Sequence, residues 1–307
     1  MKGIIVYFSQ AGSTQKIAQA IHKGMNQRVE QCDIARLKEI KTEDLANYDL
    51  IGLGSPVWRC RASLNMENFI DNMNVNSLKG KHCFYFCTHG AAPGTAVAIT
   101  VTAMKRNRLT VIGWADWYGS VFLPYMPKPY FTDGHPDAID LQEAKEFGIE
   151  MAGRSLRISR GETALIPVLP EGKEYLEIYG ESPVYSRDWA DLLSFEFKIN
   201  EEKCTRCMVC VDNCPSGNIE FSESFPAFKM ETCRKCWYCE QICPEGAIEF
   251  DWGNVARVIM KDFKDDFAGK LELAEAKGRF RRLVPLDDVG WDTPWYKVST
   301  HPRLVVP

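Results

Sequence analysis

The sequence contains no apolar run approaching the roughly 20 residues that a membrane span needs. It also lacks any excess of positive charge, with 37 Lys and Arg against 41 Asp and Glu and a formal net charge of -4 over 307 residues. A spanning helix and a broad basic field for nucleic acid are both excluded by these totals. No Gly-Lys-Ser/Thr phosphate loop and no Gly-x-Gly-x-x-Gly fingerprint occurs, so nucleotide triphosphate and nicotinamide binding have no motif behind them. Histidine is sparse at five residues, and no Ser/His/Asp or paired-carboxylate arrangement stands out. His135 and His301 sit beside prolines in turns. The opening MKGIIVYFSQAGS runs from a short apolar stretch into a Gly-containing turn and a helix pattern rather than a cleavage site. With 45% hydrophobic and 25% charged residues the chain reads as globular, and we place it in the cytoplasm.

Cysteine is abundant. Twelve are present, a number ill suited to disulfides in a reducing compartment. Eight lie between Cys204 and Cys243; Cys32, Cys60, Cys83 and Cys87 lie elsewhere and read as small packing residues, with Cys60 notable for its neighbours. The eight form two blocks, CTRCMVCVDNCP and CRKCWYCEQICP, each spaced C-x-x-C-x-x-C-x-x-x-C-P. Extended through SGNIEF and EGAIEF, the blocks agree at about half their positions, which marks an internal duplication. Three thiolates on one tight loop suit three corners of a cube, and the fourth Cys, stiffened by the following Pro, points away. Structural zinc, which paired CxxC units also suit, is the rival. It needs neither the third Cys nor the Cys-Pro ending. Met208, Trp237 and Tyr238, between the cysteines, serve either to shield sulfur from water or simply to pack.

The first half of the chain alternates strand and helix patterns. GIIVYF (3–8), a weaker strand near 28–37, DLIGLGSPVW (49–58), KHCFYFCTHG (81–90) and LTVIGWADWYG (109–119) read as strands. Helices are expected from the position of Ile17, Ala20, Ile21 and Met25, and near 63–73, 95–107 and 139–156. This predicts an α/β unit with a five-stranded, doubly wound parallel sheet over residues 1–156. Residues 157–194 show no period and read as a connector, 195–252 hold the cysteine blocks, and 253–307 form a tail with a helix near 261–277 and an extended end.

Three loops fall at strand ends, where open parallel sheets bind ligands. Ser9, Gln10, Ala11, Gly12, Ser13 and Thr14 lead from strand to helix as an anion cradle, with N–H groups and hydroxyls available and Gly12 permitting close approach. A capped helix start is the bland alternative. Ser55, Pro56, Val57 and Trp58 close the third strand, and Thr88, His89, Gly90 and the Gly-rich stretch to Gly94 follow the fourth.

On these residues the N-terminal part resembles flavodoxins. The phosphate loop of that family, roughly Ser/Thr-x-Thr/Ser-Gly-x-Thr, is matched by Ser9, Gly12 and Thr14, while Ala11 departs from it and removes one hydroxyl. The resemblance implies FMN, with Pro56, Val57 and Trp58 along the isoalloxazine, Trp58 stacking on it, and Thr88, His89 and Gly90 near its pyrimidine edge. The cysteine blocks resemble bacterial-type ferredoxins, which implies an α+β fold and two 4Fe-4S clusters. Cys204, Cys207, Cys210 and Cys243 would hold one cluster, and Cys233, Cys236, Cys239 and Cys214 the other. The whole resembles ferredoxin-fused flavodoxins of anaerobic organisms. Where flavodoxins crowd carboxylates round the flavin, Arg59, Arg61 and His89 stand here; either they are cations that favour a reduced, anionic flavin, or the two arginines are solvated on the approach to a helix.

The implied role is electron transfer between the clusters and FMN, as a protein or subunit working with a larger redox enzyme or a soluble carrier. Trp291, Pro294, Trp295, Tyr296 and Pro302 in the tail are aromatic and stiff enough to wrap a partner, or to pack on the chain itself. A self-contained FMN-dependent reductase acting on a quinone or small molecule, with the clusters as its electron feed, is the alternative; the loop at 120–136 would roof its pocket or cover a sheet edge. A zinc-stapled binding module is the third reading.

Overall fold

The computed structural model describes residues 1–124, 126–179, 197–222, 224–231, 233, 235–250, 266–291 and 293. The chain divides into two compact units, one of Met1–Ser120, Thr132–Val184 and Gly269–Leu283, the other of Val121–Phe131, Tyr185–Ala268 and Val284–Pro307. Among the described residues no helix is long and apolar enough to cross a membrane.

In the first unit the strands are β1 (Lys2–Tyr7), β2 (Gln31–Arg36), β3 (Leu50–Trp58), β4 (Arg61–Ala62), β5 (His82–His89) and β6 (Thr110–Tyr118). Five pair in parallel in the order β2-β1-β3-β5-β6, and β4 pairs antiparallel with β3. Ile4, Ile5 and Val6 in β1 and Cys83 to Cys87 in β5 are buried, as expected for inner strands covered on both faces. The helices are α1 (Ser13–Met25), α2 (Leu64–Asp71), α3 (Ala96–Arg106), α4 (Ala138–Ser159) and α5 (Lys173–Tyr179). The doubly wound sheet agrees with the sequence. The hairpin β3–β4 and helix α5, inside the stretch read as a connector, do not appear in the sequence pattern.

Helices α1 and α4 cross at backbone contact because each supplies a glycine. A Cβ on Gly24 would lie 2.0 Å from the Lys145 carbonyl oxygen, and one on Gly148 would lie 2.2 Å from that of Ile21. This closeness seats Ile17, Ile21 and Met25 against Ala144, Met151 and the sheet in a single core.

The start of α4 also anchors part of the tail. Asp137 caps the helix, accepting from the Ile139 and Asp140 N–H groups, and Asp140 returns a bond to the Asp137 N–H. Arg281 donates to both Asp137 oxygens at 2.7 Å. His135 is buried between two acceptors, its Nδ1 2.6 Å from Asp140 Oδ2 and its Nε2 2.8 Å from the Arg281 carbonyl oxygen. A ring facing two acceptors is an imidazolium. Burial pushes its pKa down, but the bonds to Asp140 and Arg281 and the Asp140 charge raise it above the ordinary 6.5. The turn role expected of His135 thus extends to holding residues 279–281.

The second unit is built around the duplication. Strand β7 (Lys198–Ile199) pairs antiparallel with β10 (Ile248–Glu249), and β8 (Ile219–Ser222) with β9 (Phe225–Phe228); α6 (Val209–Asp212) and α7 (Tyr238–Ile242) each start within a cysteine block. Its core is small and half cysteine: Cys210, Cys239 and Cys243 with Ile219, Ala247 and Ile248. The 120–136 loop is split between the units. Its 121–131 part packs here, with the Gln241 amide donating to the Phe122 carbonyl, Gly290 N–H to Pro129 O at 3.0 Å, and the Trp291 ring edge-on to Phe131 at 5.4 Å. The tail described so far is therefore engaged by the chain itself; Pro294, Trp295, Tyr296 and Pro302 lie outside the described residues. Residues 266–276 are helical (α8).

Gly148→Ala is expected to destabilise the chain by about 1–3 kcal/mol, the range of overpacked sites, read as a lower denaturant midpoint. His135, with a raised folded pKa, contributes stability that is complete below the unfolded value and lost as pH rises through the folded one. The melting temperature of the wild-type chain should therefore fall as pH rises above about 6.5, and His135→Gln should flatten that slope at a cost of about 1.5–3 kcal/mol at pH 6.

Candidate functional site

At the sheet's switch point, where the order reverses beside β1, the strand ends open a crevice. Gly12 takes φ +93°, the left-handed conformation that turns the chain into α1. Of the four first-turn N–H groups that a helix leaves without intrahelical partners, Ser9 Oγ accepts two, from Gly12 at 3.1 Å and Gln15 at 3.2 Å. Those of Ser13 and Thr14 have no protein partner among the described residues, an arrangement that suits a phosphate. The Ser9 hydroxyl thus shapes the cradle from within. Thr14 Oγ1 lies 2.8 Å from Thr88 Oγ1, which ties this loop to the end of β5.

The 55–58 stretch is a strand and not an open loop. Val57 pairs with Ala62 and Trp58 with Arg61 across a two-residue turn in which Arg59 and Cys60 both have positive φ, 53° and 60°. Such turns ordinarily carry Asn-Gly, so nothing in Arg-Cys announced it. Thr95 Oγ1 donates to the Cys60 carbonyl at 2.9 Å, and Gly94 leaves room for Cys60, since a Cβ there would sit 2.4 Å from its Sγ. Gly94 is thereby assigned to packing. The Ser55 hydroxyl is likewise engaged within the hairpin, 2.9 Å from Ser63 Oγ. Trp58, half-buried, meets Phe8 edge-on at 5.6 Å. Phe8 was not singled out in the sequence. Arg61 is neutralised by Glu67 at 2.8 Å, so its charge is not available in the way expected.

Thr88 and His89 point to opposite faces of β5, as alternation requires. His89 is buried with Nε2 3.1 Å from Asp116 Oδ2, and its ring lies against Tyr118 and Tyr179. Tyr179 also donates to Asp116 at 3.3 Å. Burial pushes the Asp116 carboxyl up, but the His89 hydrogen bond and charge, with Arg279 and Tyr179, more than offset this, and it lies below the usual carboxylate range. His89 Nδ1 is buried without a partner among the described residues. This His–Asp pair was invisible in sequence because its members are 27 positions apart on neighbouring strands.

In the second unit Cys204, Cys207, Cys210 and Cys243 line one cavity, with Pro226, Pro244, Ala247 and Ile248. Burial pushes the Cys210 thiol up to about 11, and the charge of Cys243, from the other block, raises it more than that of Cys207. The second set is also linked across the blocks. Burial raises Cys233, Cys236 (to about 12) and Cys239, and Cys214 from the first block contributes to each. Among the described residues no three His, Cys, Asp or Glu side chains converge on a point for a single metal ion. Thiols lining a cavity fit a multi-iron cube, whose positive irons would hold them as thiolates and displace their protons on binding. Both loops carry non-glycine residues at positive φ in equivalent places, Arg206 and Met208 in one, Lys235 and Trp237 in the other. Met208 is half-buried, whereas Trp237 and Tyr238 are fully buried.

Ser9→Ala, which strips an acceptor from two N–H groups, is expected to weaken FMN binding about tenfold, near 1.4 kcal/mol, and to leave riboflavin, which has no phosphate, unaffected in a fluorescence titration. Paired substitutions test the cysteine grouping. Cys207→Ala/Cys243→Ala should retain about half the iron and sulfide, whereas Cys207→Ala/Cys239→Ala should lose nearly all of it.

Comparison with known proteins agrees with this geometry. Residues 4–115 match the model of a flavodoxin domain, and residues 196–244 match that of a 4Fe-4S dicluster domain. A flavodoxin of Clostridium saccharobutylicum is 26% identical over 162 residues, 52% of this chain and 99% of its own length. An uncharacterized protein of Methanocaldococcus jannaschii is 26% identical over 159 residues, 48% of this chain and 95% of its own. Among solved structures, a flavodoxin from the domain Archaea is 26% identical with a TM-score of 0.42, covering 51% of this chain and 99% of that one. The chain is a flavodoxin–ferredoxin fusion: it carries a flavodoxin domain and a 4Fe-4S dicluster domain, its cofactors are FMN and two 4Fe-4S clusters, and its role is electron transfer.

Proposed function

We propose that the chain relays electrons between its two clusters and its FMN, joining a one-electron carrier to a two-electron redox partner in anaerobic metabolism in the cytoplasm. When bound, FMN exchanges one or two electrons and each cluster exchanges one. The observation that carries this reading is the presence on one chain of two grouped thiol sets and a cradle tied to the end of β5 by Thr14 and Thr88. The thiols of each set hold a cluster, and Trp237 and Tyr238 keep water from the second. Ser13 and Thr14 N–H groups hold the flavin phosphate, and Trp58, steadied by Phe8, gives a flat apolar surface for the ring. The tail from Pro294 onward offers the aromatic anchors through which a larger redox subunit or soluble carrier docks.

One observation favours a second reading, a self-contained reductase: the buried His89–Asp116 pair supplies the acid–base group that chemistry on a quinone or small molecule needs. Anaerobic stopped-flow mixing with a reduced one-electron iron-sulfur carrier tests the relay, and quinone turnover tests the reductase. Under the relay, FMN in the wild-type chain is reduced at least about tenfold faster than in Cys207→Ala/Cys236→Ala, a barrier difference near 1.4 kcal/mol. Equal rates overturn it. Quinone turnover by the wild-type chain that is lost in His89→Asn, while reduction of FMN by the carrier is kept, would establish the reductase.

A further inference from the structure

The duplicated cysteine loops place a cation at the same position, between the first and second Cys: Arg206 in one and Lys235 in the other, both with left-handed backbone, φ 61° and 47°. From there they diverge. Arg206 is exposed, its guanidinium 4.7 Å above the Phe225 ring, in a loop whose Cys207 is also exposed. Lys235 is 6% exposed, and the buried Trp237 and Tyr238 follow it in the loop. Its N–H donates to Cys233 Sγ at 3.4 Å, so the buried side chain leaves the backbone beside that thiol.

We propose that Lys235 is the positioning charge that sets the reduction potential of the cluster held by Cys233, Cys236, Cys239 and Cys214, making the two clusters inequivalent. Reduction adds one electron, and with it one negative charge, to an already anionic thiolate-ligated group; no bond is made or broken. In the first loop water answers that charge, because the loop is open. In the second, burial raises the cost of the added charge, and an ammonium buried on the same loop lowers it again. Arg206 lines the cavity of the first thiol set, but it is exposed there and over Phe225, so solvent screens its charge and its effect is small.

The inference rests on the reading that both thiol sets carry 4Fe-4S clusters, and the iron and sulfide content of the wild-type chain tests that reading separately. With both clusters present, an EPR-monitored redox titration of the full chain is the test. Lys235→Gln should shift one midpoint downward by at least tenfold in its reduction equilibrium, about 59 mV for one electron, and leave the other in place. Arg206→Gln should shift neither by that amount, and Lys235→Arg, which keeps the charge, should stay within about threefold of wild type on the same scale. A Lys235→Gln protein with full iron and both midpoints unchanged overturns the proposal, as does an equal shift of both. If Lys235→Gln assembles only one cluster, Lys235→Arg decides: retention of both midpoints upholds the charge, and a tenfold fall in one overturns it.

Discussion

The second unit depends on cysteines exchanged between its two halves. Cys243 belongs to the second block in sequence but shares a cavity with Cys204, Cys207 and Cys210, while Cys214 joins Cys233, Cys236 and Cys239. The apolar core around them is small, and three of its six buried members are cysteines of the two blocks. A unit of this size buries too little apolar surface to be independent of its staples, so binding energy at the thiols is folding energy. The left-handed residues flanking the ligands belong to the same constraint, since backbone strain persists only where the surroundings over-determine it.

The first unit rests on ordinary core packing. Buried strands and the close α1–α4 crossing fix the sheet, and the sheet fixes where its loops end. Two hydroxyls then shape the anion cradle: Ser9 organises the turn, and Thr14 meets Thr88 across the strand ends. None of this depends on the loop matching its family's pattern at every position, which is why Ala11 removes a hydroxyl without removing the cradle.

Additions to the flavodoxin pattern are fastened by buried polar pairs. Helix α5 brings Tyr179 to Asp116 and His89, and residues 279–281 reach His135, Asp137 and Asp140. Buried polar groups of this kind are costly unless fully partnered, so the segments that complete them are held in place. His89 Nδ1, buried without a partner among the described residues, lies beside the strand end that bears Thr88.

The sequence by itself determined the cofactors and the sheet. Thiol spacing is a local property of one loop, and strand or helix period is a local property of ten residues, so both are readable without contacts. The tertiary structure decided what depends on pairs far apart in the chain. It neutralised Arg61 with Glu67, turned Thr88 and His89 to opposite faces, gave Gly94 to Cys60, and set Asp116 against His89. It also buried one cation of the duplicated loops and exposed the other, although the two stand at identical spacing. Burial and charge pairing are properties of the packed molecule, and no linear pattern encodes them.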